Sequence, residues 1–92
     1  MIKRFQLGGK KYKVNLVSHD TSNLGRSLSP LGTVEIQTLW DGKPVPEDAM
    51  EITLYHEVVH CILDELGRGD LQDEGLVQQL ALLFHQFIKT QR

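Results

Sequence analysis

A single cysteine, Cys61, leaves no partner for an internal disulfide, so the 92-residue chain must hold its fold without a staple. That usage suits a reducing cytoplasm. Long apolar runs are also missing. The longest, 80–84, is far too short to cross a bilayer. The opening "MIKRFQLGGKKYK" carries charge but lacks the apolar stretch of a signal peptide, so a soluble, cytoplasmic protein is expected. Nor does one sign of charge dominate. Ten basic residues against twelve acidic ones give a net charge of −2, and this balance gives no reason to expect nucleic acid or an anionic membrane as partner. The one local excess, Lys3-Arg4 with Lys10-Lys11-Lys13, reads as the solvated face of a hairpin.

What is present is ordinary for one small globular domain spanning 1–92, with 40% apolar and 24% charged residues. The first half alternates with the period of a strand. Phe5 and Leu7, then Tyr12, Val14 and Leu16, flank Gly8-Gly9 and predict a hairpin with one buried face. Residues 18–32, "SHDTSNLGRSLSPLG", are polar and punctuated by Gly and Pro, and read as a loop. "TVEIQTLW" alternates again, with Val34, Ile36 and Trp40 inward and a turn at Asp41-Gly42. The second half changes to helical periodicity. One helix is expected over 47–66, stopped by Gly67. A second, capped by Asp70 with Asp73 in its first turn, should run to about Lys89. The order predicts an α+β fold: a small, mostly antiparallel three-stranded sheet with two C-terminal helices on one face.

Within the first helix, "TLYHEVVHCILDELG" holds His56-Glu57-Val58-Val59-His60. At about 100° per residue, Thr53, His56, Glu57, His60 and Asp64 form one polar strip, bordered by a wide apolar arc that includes Leu54, Val58, Cys61 and Ile62. Histidines at i and i+4 project the same way from consecutive turns, so both imidazoles can reach one ion. Glu57 is rotated off that axis, where it can take a proton from a water beside the metal. Cys61 points into the apolar arc and reads as core. His19, in the polar loop, is expected to be exposed, with a role in stabilising a transition state as the alternative.

Catalytic zinc needs a third protein ligand. The candidates are Asp64, Glu65, Asp70, Asp73, Glu74 and His85. Asp64 and Glu65 share the helix with the histidines and are poorly placed to close the site. The second helix should bury Leu76, Val77, Leu80, Leu83, Phe84, Phe87 and Ile88 as one stripe, with Glu74, Gln78 and His85 beside it. His85 is eleven residues beyond Glu74, roughly 16 Å along the axis, too far to share an ion with it. Glu74 is therefore the best-placed ligand. The other reading of it is a solvated first-turn acid that favours the helix dipole, and Asp73 is the next candidate.

"TLYHEVVHCILDELG" followed by "DEGLVQQLALLF" resembles the small HExxH metallopeptidase-like proteins of phages and prophages. These are similar to minimal gluzincins and, distantly, to the ImmA/IrrE-type metallopeptidases. The resemblance covers mainly residues 33–89. It implies a zincin-like core, Zn2+ held by His56, His60 and Glu74, and Glu57 as the catalytic base. It also implies that Gln78 hydrogen-bonds the metal ligands or the water. Residues 33–39 are implied to be an edge strand beside the cleft, pairing with an extended peptide or protein substrate. Two functions follow as expectations: a zinc-dependent peptidase or, since so small a shell leaves little surface for substrate, a metal-stabilised binding module that modulates a host protein.

Overall fold

A computed structural model describes residues 1–18 and 23–91. His19 lies outside the described residues. The chain forms β1 (Arg4–Leu7), β2 (Lys10–Val17), β3 (Gly25–Leu28), β4 (Thr33–Gln37), β5 (Leu39–Trp40), β6 (Lys43–Pro44), α1 (Glu47–Glu65) and α2 (Glu74–Thr90). Short 3-10 turns at Ser29–Leu31 and Gly69–Leu71 link β3 to β4 and α1 to α2. The fold is α+β, with β1-β2-β4-β3 as the main sheet and β5-β6 as a separate hairpin. β1/β2 and β3/β4 pair antiparallel, whereas β2/β4 pair parallel, Val14 opposite Val34 and Leu16 opposite Ile36.

The main sheet therefore has four strands, not three. The additional one, β3, lies inside the stretch expected to be loop. "GRSL" has no apolar alternation, and its strand character comes from pairing with β4, Ser27 opposite Val34. The same pairing corrects a second expectation: residues 33–37 are an interior strand between β2 and β3, not an edge. The edge on that side is β3. It runs close over α1 because residue 25 is glycine. A Cβ there would stand 2.6 Å from Thr53 Cγ2 and 3.0 Å from the Glu35 carbonyl oxygen.

The layers also differ from two helices lying side by side on a sheet. α1 covers the sheet, and α2 packs chiefly against α1. α1 accordingly buries residues on two sides. Leu54 and Cys61 join Tyr12, Val34 and Ile36 against the sheet, while Val59 and Leu63 meet Val77 of α2. Each aliphatic side chain buried this way stabilises the fold by about 1.5–3 kcal/mol. Polar bonds fix the C-terminal half of α1 over the sheet. The Tyr12 hydroxyl donates to Glu65 Oε1 at 2.7 Å and Ser29 Oγ to Asp64 Oδ2 at 2.6 Å. Burial, reinforced by the Glu65 bond, pushes the Tyr12 hydroxyl up to about 12.

α1 ends in a Schellman motif: the Arg68 amide donates to the Leu63 carbonyl and that of Gly67 to Asp64, with Gly67 at φ 67°. Asp73, rather than Asp70, caps α2, its carboxylate accepting from the Leu76 amide at 2.9 Å. Asp70 is instead held by Arg68 in the connecting turn. Only Val77 and Ala81 of α2 are buried, so most of the expected stripe is exposed, because α1 offers it a single flank. Trp40 is 41% exposed. The two-residue strand β5 turns it away from the core at the Asp41-Gly42 reversal.

Candidate metal centre

The polar strip of α1 opens into a cleft of about 530 Å³ between β3, α1 and the start of α2. Thr53, His56, Glu57 and His60 line its floor, Leu24 to Ser27 one wall, and Glu74 and Gln78 the other. Asp64, the last member of the strip, is engaged elsewhere by Ser29 and Gln72.

His56 and His60 rise from successive turns of α1, their ring centroids 4.9 Å apart and the planes at 66°. Their Nε2 atoms converge on one carboxylate. His56 Nε2 is 2.8 Å from Glu74 Oε2, and His60 Nε2 is 2.9 Å from Glu74 Oε1. The opposite ring nitrogens are held by glutamines, His56 Nδ1 at 2.7 Å from Gln78 Oε1 and His60 Nδ1 at 2.5 Å from Gln72 Oε1. The Gln72 amide is oriented without ambiguity. Its Nε2 donates to the His60 carbonyl oxygen at 3.2 Å and to Asp64 Oδ1 at 2.8 Å, which leaves Oε1 to accept from His60 Nδ1–H. With Nδ1 protonated, Nε2 is the coordinating nitrogen, and a ring fixed in that tautomer suits a metal ligand.

The donor set of two imidazole nitrogens and one carboxylate fits Zn2+, with one position left for water. Each of the three residues offers a ligand atom within 4.8 Å of the others. The histidine side chains are 14–16% exposed whereas Glu74 is 74% exposed, so the carboxylate can adjust while the rings stay fixed.

Glu57 sits below this triad and is buried. Burial pushes its carboxyl above the usual range. His56, His60 and a hydrogen bond with Ser27 of β3 act in the opposite direction. A carboxylate held this way is a stronger base than one in free solvent, and it lies on the same cleft as the converging nitrogens.

Of the sequence-predicted residues, His56, Glu57, His60, Glu74 and Gln78 come together in one cleft. Asp73 is occupied as the cap of α2. Two further participants escaped sequence reasoning. Gln72 holds His60, and Ser27 faces Glu57; neither repeats with any helical or strand period. The available signal for Gln72 was its position one residue before a capping aspartate, at the turn that returns the chain toward the histidines.

His85 belongs to a second cluster further along the two helices. Its Nε2 lies 3.2 Å from Glu51 Oε1 and 3.9 Å from Asp48 Oδ1, while Lys89 Nζ is 3.0 Å from the same Glu51 oxygen. Lys89 and then His85 hold the Glu51 carboxyl below the usual range. The ammonium of Lys89 supplies the positive charge there, and the cluster is an ion-pair clamp between α1 and α2.

Comparison with protein-family models, curated proteins and solved structures finds no match to this chain. The functional reading therefore rests on the site itself.

Proposed function

We propose that this protein is a zinc-dependent peptidase of the HExxH kind, similar to the small phage and prophage metallopeptidase-like proteins, with a minimal zincin-like core and a cytoplasmic site of action. The observation that carries the proposal is the convergence of His56 Nε2 and His60 Nε2 on the Glu74 carboxylate, within 2.8–2.9 Å, above a buried Glu57. No helix among the described residues is long and apolar enough to cross a membrane.

His56, His60 and Glu74 would hold the ion. Bound zinc supplies Lewis acidity, which acidifies a water and polarises a peptide carbonyl. The chain's own residues do the rest. Gln72 and Gln78 hold the Nδ1 sides of the two imidazoles, so that Nε2 would face the ion. Glu57 takes the proton of the attacking water at its carboxylate and delivers it to the leaving amine. Its hydrogen bond with Ser27 of β3 positions that carboxylate on the cleft. An extended peptide would pair with β3, the outer strand on that side of the main sheet, since β4 is interior.

The test is a metal assay of the purified protein followed by a protease screen of wild type against Glu57→Gln. One zinc per chain is expected in both, with hydrolysis at least ~100-fold lower in the variant. Equal turnover would remove Glu57 from the mechanism.

A second reading, a metal-stabilised binding module, is favoured by one observation: α2 exposes Leu83 and Phe87 by 63% and 59%. One equivalent of zinc with no hydrolysis sensitive to Glu57→Gln would select it.

A further inference from the structure

α2 carries two apolar seams, and its own fold uses only one. The inner seam, centred on Val77 and Ala81, packs on α1. The outer seam, Leu76, Leu80, Leu83 and Phe87, repeats at spacings of four, three and four residues, the period of a helix-pairing stripe. These four are 36–63% exposed. Phe84 and Ile88 join the outer seam to an apolar groove of about 210 Å³, whose other walls include Ile2 of the N-terminal segment and Tyr55, Val58 and Ile62 of α1.

We propose that this face is the interface of a two-fold symmetric dimer, with the α2 ridge of each copy seated beside the α2 of the other. Two arguments select a second copy as the occupant. The first is area. Leu76, Leu80, Leu83, Phe84, Phe87 and Ile88 together expose the equivalent of about three whole side chains, and at ~200 Å² each that is ~600 Å² of apolar surface. The neighbouring Ile2 and Ile62, 48% and 36% exposed, bring the face near the ~800 Å² per partner of a stable interface. Monomeric proteins rarely leave a contiguous patch of that size in water.

The second argument is charge. At about 100° per residue, Gln79, Gln86 and Thr90 flank the outer seam on one side and Phe84 and Ile88 on the other, and all five are neutral. Glu74 and Lys89, the charged residues of α2, lie on the opposite face of the helix. Helix pairs that must exclude a copy of themselves use flanking charges to do so. This seam has none. A patch that combines a ridge with a groove is also self-complementary, as a two-fold interface requires.

The dimer is independent of the metal site, whose residues lie on the other side of α2. Sedimentation equilibrium of the full chain from about 1 to 100 µM should show a closed dimer. Leu83→Glu and Phe87→Glu should each weaken association at least ~30-fold, with circular dichroism and zinc content unchanged. In a sample mixing isotope-labelled and unlabelled wild-type chains, intermolecular NOEs should connect Leu83 methyls to the Phe87 ring. A wild type that stays monomeric at about 100 µM would overturn the proposal and leave the face to a different protein. So would a dimer undiminished by either substitution, or a dimer without those NOEs.

Discussion

Two clusters bridge α1 and α2, each with one or more histidines from the helices and carboxylates within reach, yet they solve their charge problem differently. In the clamp, Lys89 sits 3.0 Å from Glu51 and fills the cation position with the protein's own ammonium. In the cleft, the Glu74 carboxylate lies against the imidazoles of His56 and His60, with no lysine or arginine described beside it. The rings there are also oriented by glutamine oxygens, whereas His85 faces the two acids with the Tyr55 ring beside it. The two clusters differ less in the atoms they offer a cation than in whether a resident ammonium already lies against them.

The comparison breaks most visibly on histidine removal. If the cleft holds zinc as proposed, His56→Ala and His60→Ala should each lose it and lower the unfolding temperature, because the ion would tie α2 to α1. His85→Ala should keep the zinc. Elemental analysis with thermal scans, with and without chelator, reads both. Zinc retained by either cleft variant, or lost from His85→Ala, would invert the assignment of the two clusters.

Within the cleft the ligand and its supports should separate by size of effect. Glu74→Gln should weaken zinc affinity by more than ~100-fold, since a neutral amide is a poor zinc ligand. Gln72→Ala and Gln78→Ala should each cost about 10–100-fold through loss of ring orientation. Competition against a chromophoric chelator gives all three constants, and equal affinities across the set would remove Glu74 from the ligand set.

The clamp should respond to acid instead of metal. The folded Glu51 carboxyl titrates below its ordinary value of 4.5. Its stabilisation is therefore complete above that pH and is lost as pH falls through the depressed folded value. Glu51→Gln should be less stable than wild type at neutral pH and should lose less stability between pH 5 and 3. Parallel acid slopes in denaturant titrations would remove Glu51 from that limb. The smallest effect belongs to Lys89→Met, a slight loss of stability, because half of that side chain is solvent-exposed.

Much of the cleft is legible in the sequence. His56, Glu57 and His60 declare themselves because an i, i+4 pair means one thing on a helix, and Glu74 followed from where a second helix must begin. Gln72 did not, because its bonds cross a turn whose geometry depends on Gly67 and Asp73 together. β3 was illegible for a related reason. Its residues have no strand pattern of their own, and they become a strand by lying between β4 and Thr53 of α1. The periodicity of α2 announced an apolar face correctly but could not say whether this chain covers it. α1 is already shared between two layers, and only one flank of it remains for α2.

Cys61 is fully buried where α1 meets the sheet, its thiol pushed up by burial, with Ser29 Oγ 3.8 Å from the sulfur. It belongs to the core cluster that contains no α2 residue. Thiol labelling of this chain therefore acts as a clock for one layer only. Swinging α2 away after zinc is stripped should leave the labelling rate nearly unchanged, whereas lifting α1 off the sheet should expose the sulfur at once. The lone cysteine thus allows the loosening of α2 and the opening of the whole fold to be timed separately in an unmodified protein.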